Sequence, residues 1–205
     1  MPKPEGSTTI RQRPLTAAEA ASAPRNLFGP AGADGRPRHV LLELLSRDAL
    51  GVVYRACERA TDRYFAVRFM SGQAGDEQTS AIEQEVELLI ALPHPNILQV
   101  LGCGRRQNRL YVEMDLVKAT PLGEAKIQEI PRICSLLRDA AEAVHYAHEE
   151  GIFHGELHPG NVLVAREGDR DHALVKDFGL GHLLEGVGPQ ASSPAIRQAA
   201  YLPPE

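Results

Sequence analysis

The feature that most constrains this 205-residue chain is the run Ile152-Phe153-His154-Gly155-Glu156-Leu157-His158-Pro159-Gly160-Asn161-Val162-Leu163-Val164, followed by Val175-Lys176-Asp177-Phe178-Gly179. It reads as two short apolar strands with polar residues gathered at their ends. Asn161 and Asp177 offer oxygen atoms of the kind a hard divalent cation such as Mg²⁺ takes. Glu156 lies five residues before Asn161, so a carboxylate and a carboxamide bracket one tight loop.

The segments ahead of this run predict an antiparallel sheet and one helix. Val40 to Leu45 reads as a strand, Leu50 to Ala56 as its hairpin partner, and Tyr64 to Phe69 as a third strand rich in β-branched and aromatic residues. From Asp76 to Leu92, Ile82, Val86, Leu89 and Ile90 recur at helical spacing with Glu83, Glu85 and Glu87 between them. The prolines of Leu92-Pro93-His94-Pro95-Asn96-Ile97 end that helix. Ile97 to Leu101 and Leu110 to Asp115 read as two more strands. Ile130 to Glu150 is an amphipathic helix with Ile133, Leu136, Leu137, Ala140, Val144 and Ala147 as its apolar stripe, and Gly151 is placed to cap it. Residues 1–37 are rich in Pro, Ala, Gly, Ser and charge, which reads as a flexible leader, either a plain tail or a docking segment.

Taken in order, these motifs resemble the eukaryotic-type protein kinases, the bacterial serine/threonine kinases above all. The matching residues are the Val53-Tyr54-x-Ala56 hairpin, Ala66-Val67-Arg68, the helical Glu85, His94-Pro95-Asn96-Ile97, His154-x-x-Leu157-x-Pro159-x-Asn161-Val162-Leu163, Asp177-Phe178-Gly179 and Pro203-Pro204-Glu205. Over residues 40–205 the resemblance implies an α+β kinase-like fold. Its N-lobe, 38–117, would hold a five-stranded antiparallel sheet with one helix. Residues 118–205 would form the first part of a helical C-lobe, ending at the activation segment. The resemblance implies ATP and Mg²⁺ as cofactors. Gly51, Val53, Ala66, Arg68, Glu85, Asp115, Val117 and Leu163 would face the nucleotide, with Arg68 paired to Glu85 and with Asp115 to Val117 as the hinge after Met114. Glu156, Asn161 and His158 would be the catalytic set, and Asn161 and Asp177 the metal ligands.

Several positions depart from the family pattern. Where it has H-R-D-L-x-x-x-N, this chain has Gly155 and Glu156 in place of Arg and Asp. The glycine-rich loop pattern falls on Ser46, Asp48 and Gly51, so only the last glycine is kept. A carboxylate at Asp48 repels a polyphosphate by a few kcal/mol at close range, on the order of a pair at an effective dielectric near 20. The same loop also reads as an ordinary hairpin, Glu85 as a solvated acid, and Met114 as core packing. Arg68 replaces the strand lysine, and a planar fork is not equivalent to a compact ammonium. His158 replaces the catalytic-loop lysine and carries only part of a charge at neutral pH. Glu156 is longer than aspartate by one methylene, and a displacement of about 1 Å can cost roughly a hundredfold in rate. These departures imply a pseudokinase that serves as a binding or regulatory module. A weakly active serine/threonine kinase and a kinase gene fragment without function remain the alternatives.

The net charge of -5 and a pI near 5.9 argue against nucleic acid as a partner. No apolar run has the length of a membrane span. Cys57, Cys103 and Cys134 are isolated, which argues against a disulfide framework and sets a reducing, cytoplasmic location as the expectation. His145, His148, His154 and His158 lack the carboxylate-bearing zinc pattern. Ser192 and Ser193 are the loop hydroxyls open to phosphorylation, and Gln198 stands where the family carries threonine. The family's lobe continues with more helices than residues 118–205 can supply. The apolar underside of the long helix would then need a protein partner, self-association or the rest of a split gene to cover it.

Overall fold

In the computed structural model, the described residues are 26–48, 50–71, 76–107 and 109–179. The leader up to residue 25, the activation segment with Ser192 and Ser193, and Pro203-Pro204-Glu205 lie outside them. The chain runs β1 (Leu27–Ala31), β2 (Pro37–Asp48), β3 (Gly51–Glu58), β4 (Tyr64–Met70), α1 (Asp76–Ile90), β5 (Val100–Arg106) and β6 (Arg109–Met114). It continues with β7 (Ala119–Pro121), α2 (Ile130–Glu149), β8 (Val162–Glu167) and β9 (Arg170–Val175). The first six strands form one antiparallel sheet in the order β1-β2-β3-β4-β6-β5, and β7-β8-β9 form a second. The first sheet therefore has six strands rather than the expected five.

The extra strand corrects the lower boundary of the folded part, which was expected near residue 38. β1 lies within the stretch read as leader. Its anchor is Phe28, which is 2% exposed and meets the rings of His39, Phe65, Phe69 and Tyr111 at centroid distances of 5.1 to 6.2 Å. One buried aromatic ring of this kind outweighs the unfavourable composition around it, because such rings carry large apolar area and favour edge-on packing.

Alternation along β4 decides which residues reach the cleft. Phe65, Val67 and Phe69 face the aromatic cluster with Phe28 and Tyr111, whereas Ala66 and Met70 face the main core with α1. Arg68 shares that second face by the two-residue period of a strand. Its neighbours across the ladder are Val53 and Val112. The helix α1 buries Ile82, Val86 and Leu89, while Ile90, expected on the same face, is exposed. In α2, Leu136, Ala140, Ala143 and Ala147 are buried and Leu137, expected in the stripe, is not. Gly151 ends α2 at φ +76°, with its N–H on the His148 carbonyl. Ile130 and Phe153 are 72% and 66% exposed. Among the described residues no helix is long and apolar enough to cross a membrane.

The His94-Pro95-Asn96-Ile97 turn joins the two sheets. Asn96 Nδ2 donates to the Ala173 carbonyl at 2.8 Å, and the Asn96 carbonyl accepts from Val175 N–H at 2.8 Å. Leu98 N–H donates to the Val175 carbonyl, and Ile97 bridges Val175 in parallel. This seam anchors β9, whose C-terminal end carries Lys176 and Asp177.

Candidate functional site

The apolar end of the cleft is assembled from both sheets. Val53 and Ala66 from the first sheet and Met114 beside the hinge belong to one buried cluster, and Leu116, Val117, Leu163 and Val164 pack against it. Val53, Ala66, Val117 and Leu163 are thus brought together in one apolar cluster. Asp115 N–H donates to the Gln99 carbonyl at 3.0 Å, which removes that donor from any ligand, and its carboxylate pairs with Arg63 at 3.5 Å. Behind Met114, a cavity of about 20 Å³ is lined by Leu89, Ile97, Leu98, Val100, Asp177 and Phe178. Gly51 has a steric role: at φ +148°, an added Cβ would lie 2.1 Å from the Phe69 carbonyl oxygen.

The polar end is organised by Arg68, which is 1% exposed. Its NH1 donates to Asp48 Oδ1 at 2.5 Å and its NH2 to Asp177 Oδ2 at 3.1 Å. Asp48 Oδ1 also accepts from Gly51 N–H at 3.1 Å, so the β2–β3 turn is tied down onto the strand cation. The expected Arg68–Glu85 pair is not formed. Two carboxylates flank the guanidinium more closely, and one of them, Asp177, has a side chain only 2% exposed and so the greater need of a counter-ion. Glu85 lies instead over Gly179, where an added Cβ would meet its Oε1 at 2.6 Å. Burial opposes the charges on Arg68 and Asp177. Their mutual attraction, helped by Asp48 on one side and Lys176 on the other, outweighs it: Arg68 is held above and Asp177 below its ordinary range.

The loop from Glu156 to Asn161 is closed by its own backbone. Asn161 Nδ2 donates to the Glu156 carbonyl at 3.0 Å, and Gly160 N–H donates to His158 Nδ1 at 3.0 Å. Among the described residues, no hydrogen bond or ion pair holds the Glu156 carboxylate. Burial, and then the positive charge of Lys176, push His158 below its ordinary value, so it is a neutral ring at pH 7 and no cationic replacement for a lysine. His154 is buried against the Phe178 ring, with Nε2 3.0 Å from the Lys176 carbonyl and Nδ1 accepting from Glu156 N–H at 3.3 Å. Burial lowers its pKa also.

The sequence profile of the protein kinase domain matches residues 41–205. The chain belongs to the protein kinase family. It is 28% identical over 184 residues to the serine/threonine-protein kinase PknD of Mycobacterium tuberculosis, covering 87% of this chain and 26% of that protein. It is 29% identical over 189 residues to PkaA of Streptomyces coelicolor, covering 82% and 34% respectively. The chain therefore spans about a quarter to a third of the length of these curated relatives. The crystal structure of the PknI kinase domain of Mycobacterium tuberculosis superposes with a TM-score of 0.60 at 25% identity, over 82% of this chain and 67% of that one.

Kinases of this family generally use ATP and Mg²⁺, so the polar end of this kinase domain can be tested for its fit to the metal. Asn161 Oδ1 accepts from Lys176 Nζ at 2.9 Å. The same ammonium pairs with Asp177 Oδ2, which Arg68 also contacts. Both would-be ligand residues are thus already engaged by cations. A divalent ion about 4 Å from the ammonium would meet a repulsion of roughly 8 kcal/mol at an effective dielectric of 20. Asp48, Asp177, Arg68 and Lys176 already sum to zero charge. As arranged, this site does not fit Mg²⁺, and the reading of Asn161 and Asp177 as a metal pair is corrected on that ground. Lys176 is the member of this charged cluster that the family motifs do not mark. The register could have found it: Val162 pairs with Val175, which sets Asn161 opposite Lys176, and Lys176 N–H indeed donates to the Asn161 carbonyl at 3.0 Å.

Proposed function

We propose that this kinase domain is a catalytically impaired member of its family, a binding or regulatory module that retains the apolar half of a nucleotide cleft. The observation that carries this reading is the Asp48–Arg68–Asp177 bridge. In an active kinase the strand cation is available to the nucleotide phosphates, and an aspartate of the D-F-G motif is available to the metal. Here the two neutralise each other, and Asp48 adds a third charge from the turn above. Glu156 is a methylene too long for the aspartate it replaces, and neutral His158 supplies no charge to a transferred phosphoryl group. Each defect weakens transition-state stabilisation at a different point, so together they leave positioned binding without efficient transfer.

The test is phosphoryl transfer from labelled ATP to the chain itself and to a generic basic protein substrate. The expected rate is indistinguishable from that of Asp177→Asn. Turnover on the order of 1 s⁻¹, abolished by Asp177→Asn, would establish an active serine/threonine kinase instead.

A further inference from the structure

We propose that the Lys176 ammonium is a tethered substitute for the divalent cation of this cleft, so that a nucleoside triphosphate binds here without metal. The nucleotide half of this statement rests on the reading of the cleft given above. The cation half rests on Lys176 itself.

The hairpin of β8 and β9 places this residue. Val162 pairs with Val175 and Leu163 with Leu174, and the Lys176 N–H to Asn161 carbonyl bond extends the ladder by one step. Lys176 and Asn161 are therefore cross-strand neighbours. The backbone of Asp177 at φ +63° turns the next carboxylate back toward the same point. The ammonium thus meets Asn161 Oδ1 and Asp177 Oδ2 together, with its side chain only 16% exposed. These are the two side chains that the family pattern assigns to metal. A lysine ammonium has three donors, so two contacts to protein leave one for a phosphate oxygen. Arg68, on the other side of Asp177, keeps a buried Nε with no partner among the described residues. The cations at this end of the cleft are covalently part of the chain, and their number matches that of the carboxylates they face.

The experiment uses the whole chain, Lys176→Met and Lys176→Gln, each checked for a cooperative thermal transition. Lys176→Gln keeps an N–H donor for Asn161, and so guards against loss of fold in the methionine variant. ATP affinity is measured by calorimetry in EDTA and in excess Mg²⁺. Mn²⁺ alone is titrated by the loss of its free-ion paramagnetic signal. For the unsubstituted chain, ATP affinity is expected to agree in EDTA and Mg²⁺ within about twofold, with Mn²⁺ remaining free. In the variants, ATP in EDTA weakens by about tenfold, the scale of one charge-assisted contact, Mg²⁺ restores it, and Mn²⁺ now binds. ATP bound at least about tenfold more tightly with Mg²⁺ by the unsubstituted chain would overturn the proposal. If ATP binds to none of the proteins, the nucleotide half fails, and the Mn²⁺ arm still decides the cation half. Mn²⁺ bound only by the variants upholds the substitution, whereas equal Mn²⁺ binding with and without Lys176 overturns it.

Discussion

The two ends of the cleft share β4 and the β8–β9 hairpin and differ in what decides them. At the apolar end, strand alternation points Val53, Ala66 and Leu163 inward, Val117 joins them from the segment after β6, and burial rewards any close arrangement. At the polar end, the same alternation brings Arg68 inward, but its partner is chosen by competition among carboxylates. Asp48 and Asp177 hold it, and Glu85 does not. Apolar contacts are tolerant and non-directional, whereas a buried charge must find a specific partner or be strongly destabilising. The apolar end therefore tolerates many arrangements, and the polar end depends on which charges pair.

The difference between the ends is tested most severely by removing one residue from each. Arg68→Met leaves the buried Asp177 carboxylate with Lys176 alone, and unfolding free energy should fall by about 3–5 kcal/mol, the range for a buried pair broken from one side. Val53→Ala, directly across the ladder, removes apolar volume only and should cost about 2 kcal/mol. Urea titrations of the two variants read both numbers, and a larger loss for Val53→Ala would erase the distinction.

The next effect concerns the seam that both ends share. Asn96→Ala removes the buried bond to the Ala173 carbonyl while leaving the Val175 backbone bonds in place. Stability should fall by about 1–3 kcal/mol, the cost of an unmet buried acceptor. A change close to zero would mean that the backbone bonds alone hold β9.

A pH titration probes the polar end from below. Burial lowers His154 and His158, so the unfolded chain takes up protons more readily than the folded one once pH drops below the free-histidine value of 6.5. Their contribution is complete above that value and is lost as pH falls toward the lowered folded values. Asp177, also lowered, acts only in the carboxylate range and leaves this window clear. Urea midpoints measured from pH 7.5 to 5.5 should therefore decline, and His154→Gln should flatten the decline while keeping the part due to His158. A midpoint that rises on acidification would contradict the lowered values of both rings.

The smallest expected effect is the most discriminating. A double-mutant cycle between Arg68 and Glu85 should give a coupling below about 0.5 kcal/mol, against roughly 0.5–3 kcal/mol between Arg68 and Asp177. A larger Arg68–Glu85 term would put the helix carboxylate back on the strand cation.

How much of this was legible before folding varies by residue. The helix at Asp76–Ile90, the helix at Ile130–Glu149 and the hairpins around Arg68 follow from periodicity. The strand at Leu27–Ala31 does not, because its evidence is a single phenylalanine in a Pro- and Gly-rich stretch, and its partners lie on four distant positions. Exposure of Ile90 and Leu137 was equally hidden, since a stripe drawn on one helix is wider than the face its neighbour covers.

By itself, the sequence determined the family, the order of the elements other than β1 and β7, and which ionisable side chains the chain carries. Those follow from local spacing and from side-chain chemistry. Which cation meets which carboxylate was decided only in the tertiary structure. Arg68 and Asp177 are 109 positions apart, and the register that sets Lys176 against Asn161 is a property of two strands rather than of either one. Ion pairing depends on distance and burial to within an ångström or two, and neither quantity exists until the strands are packed.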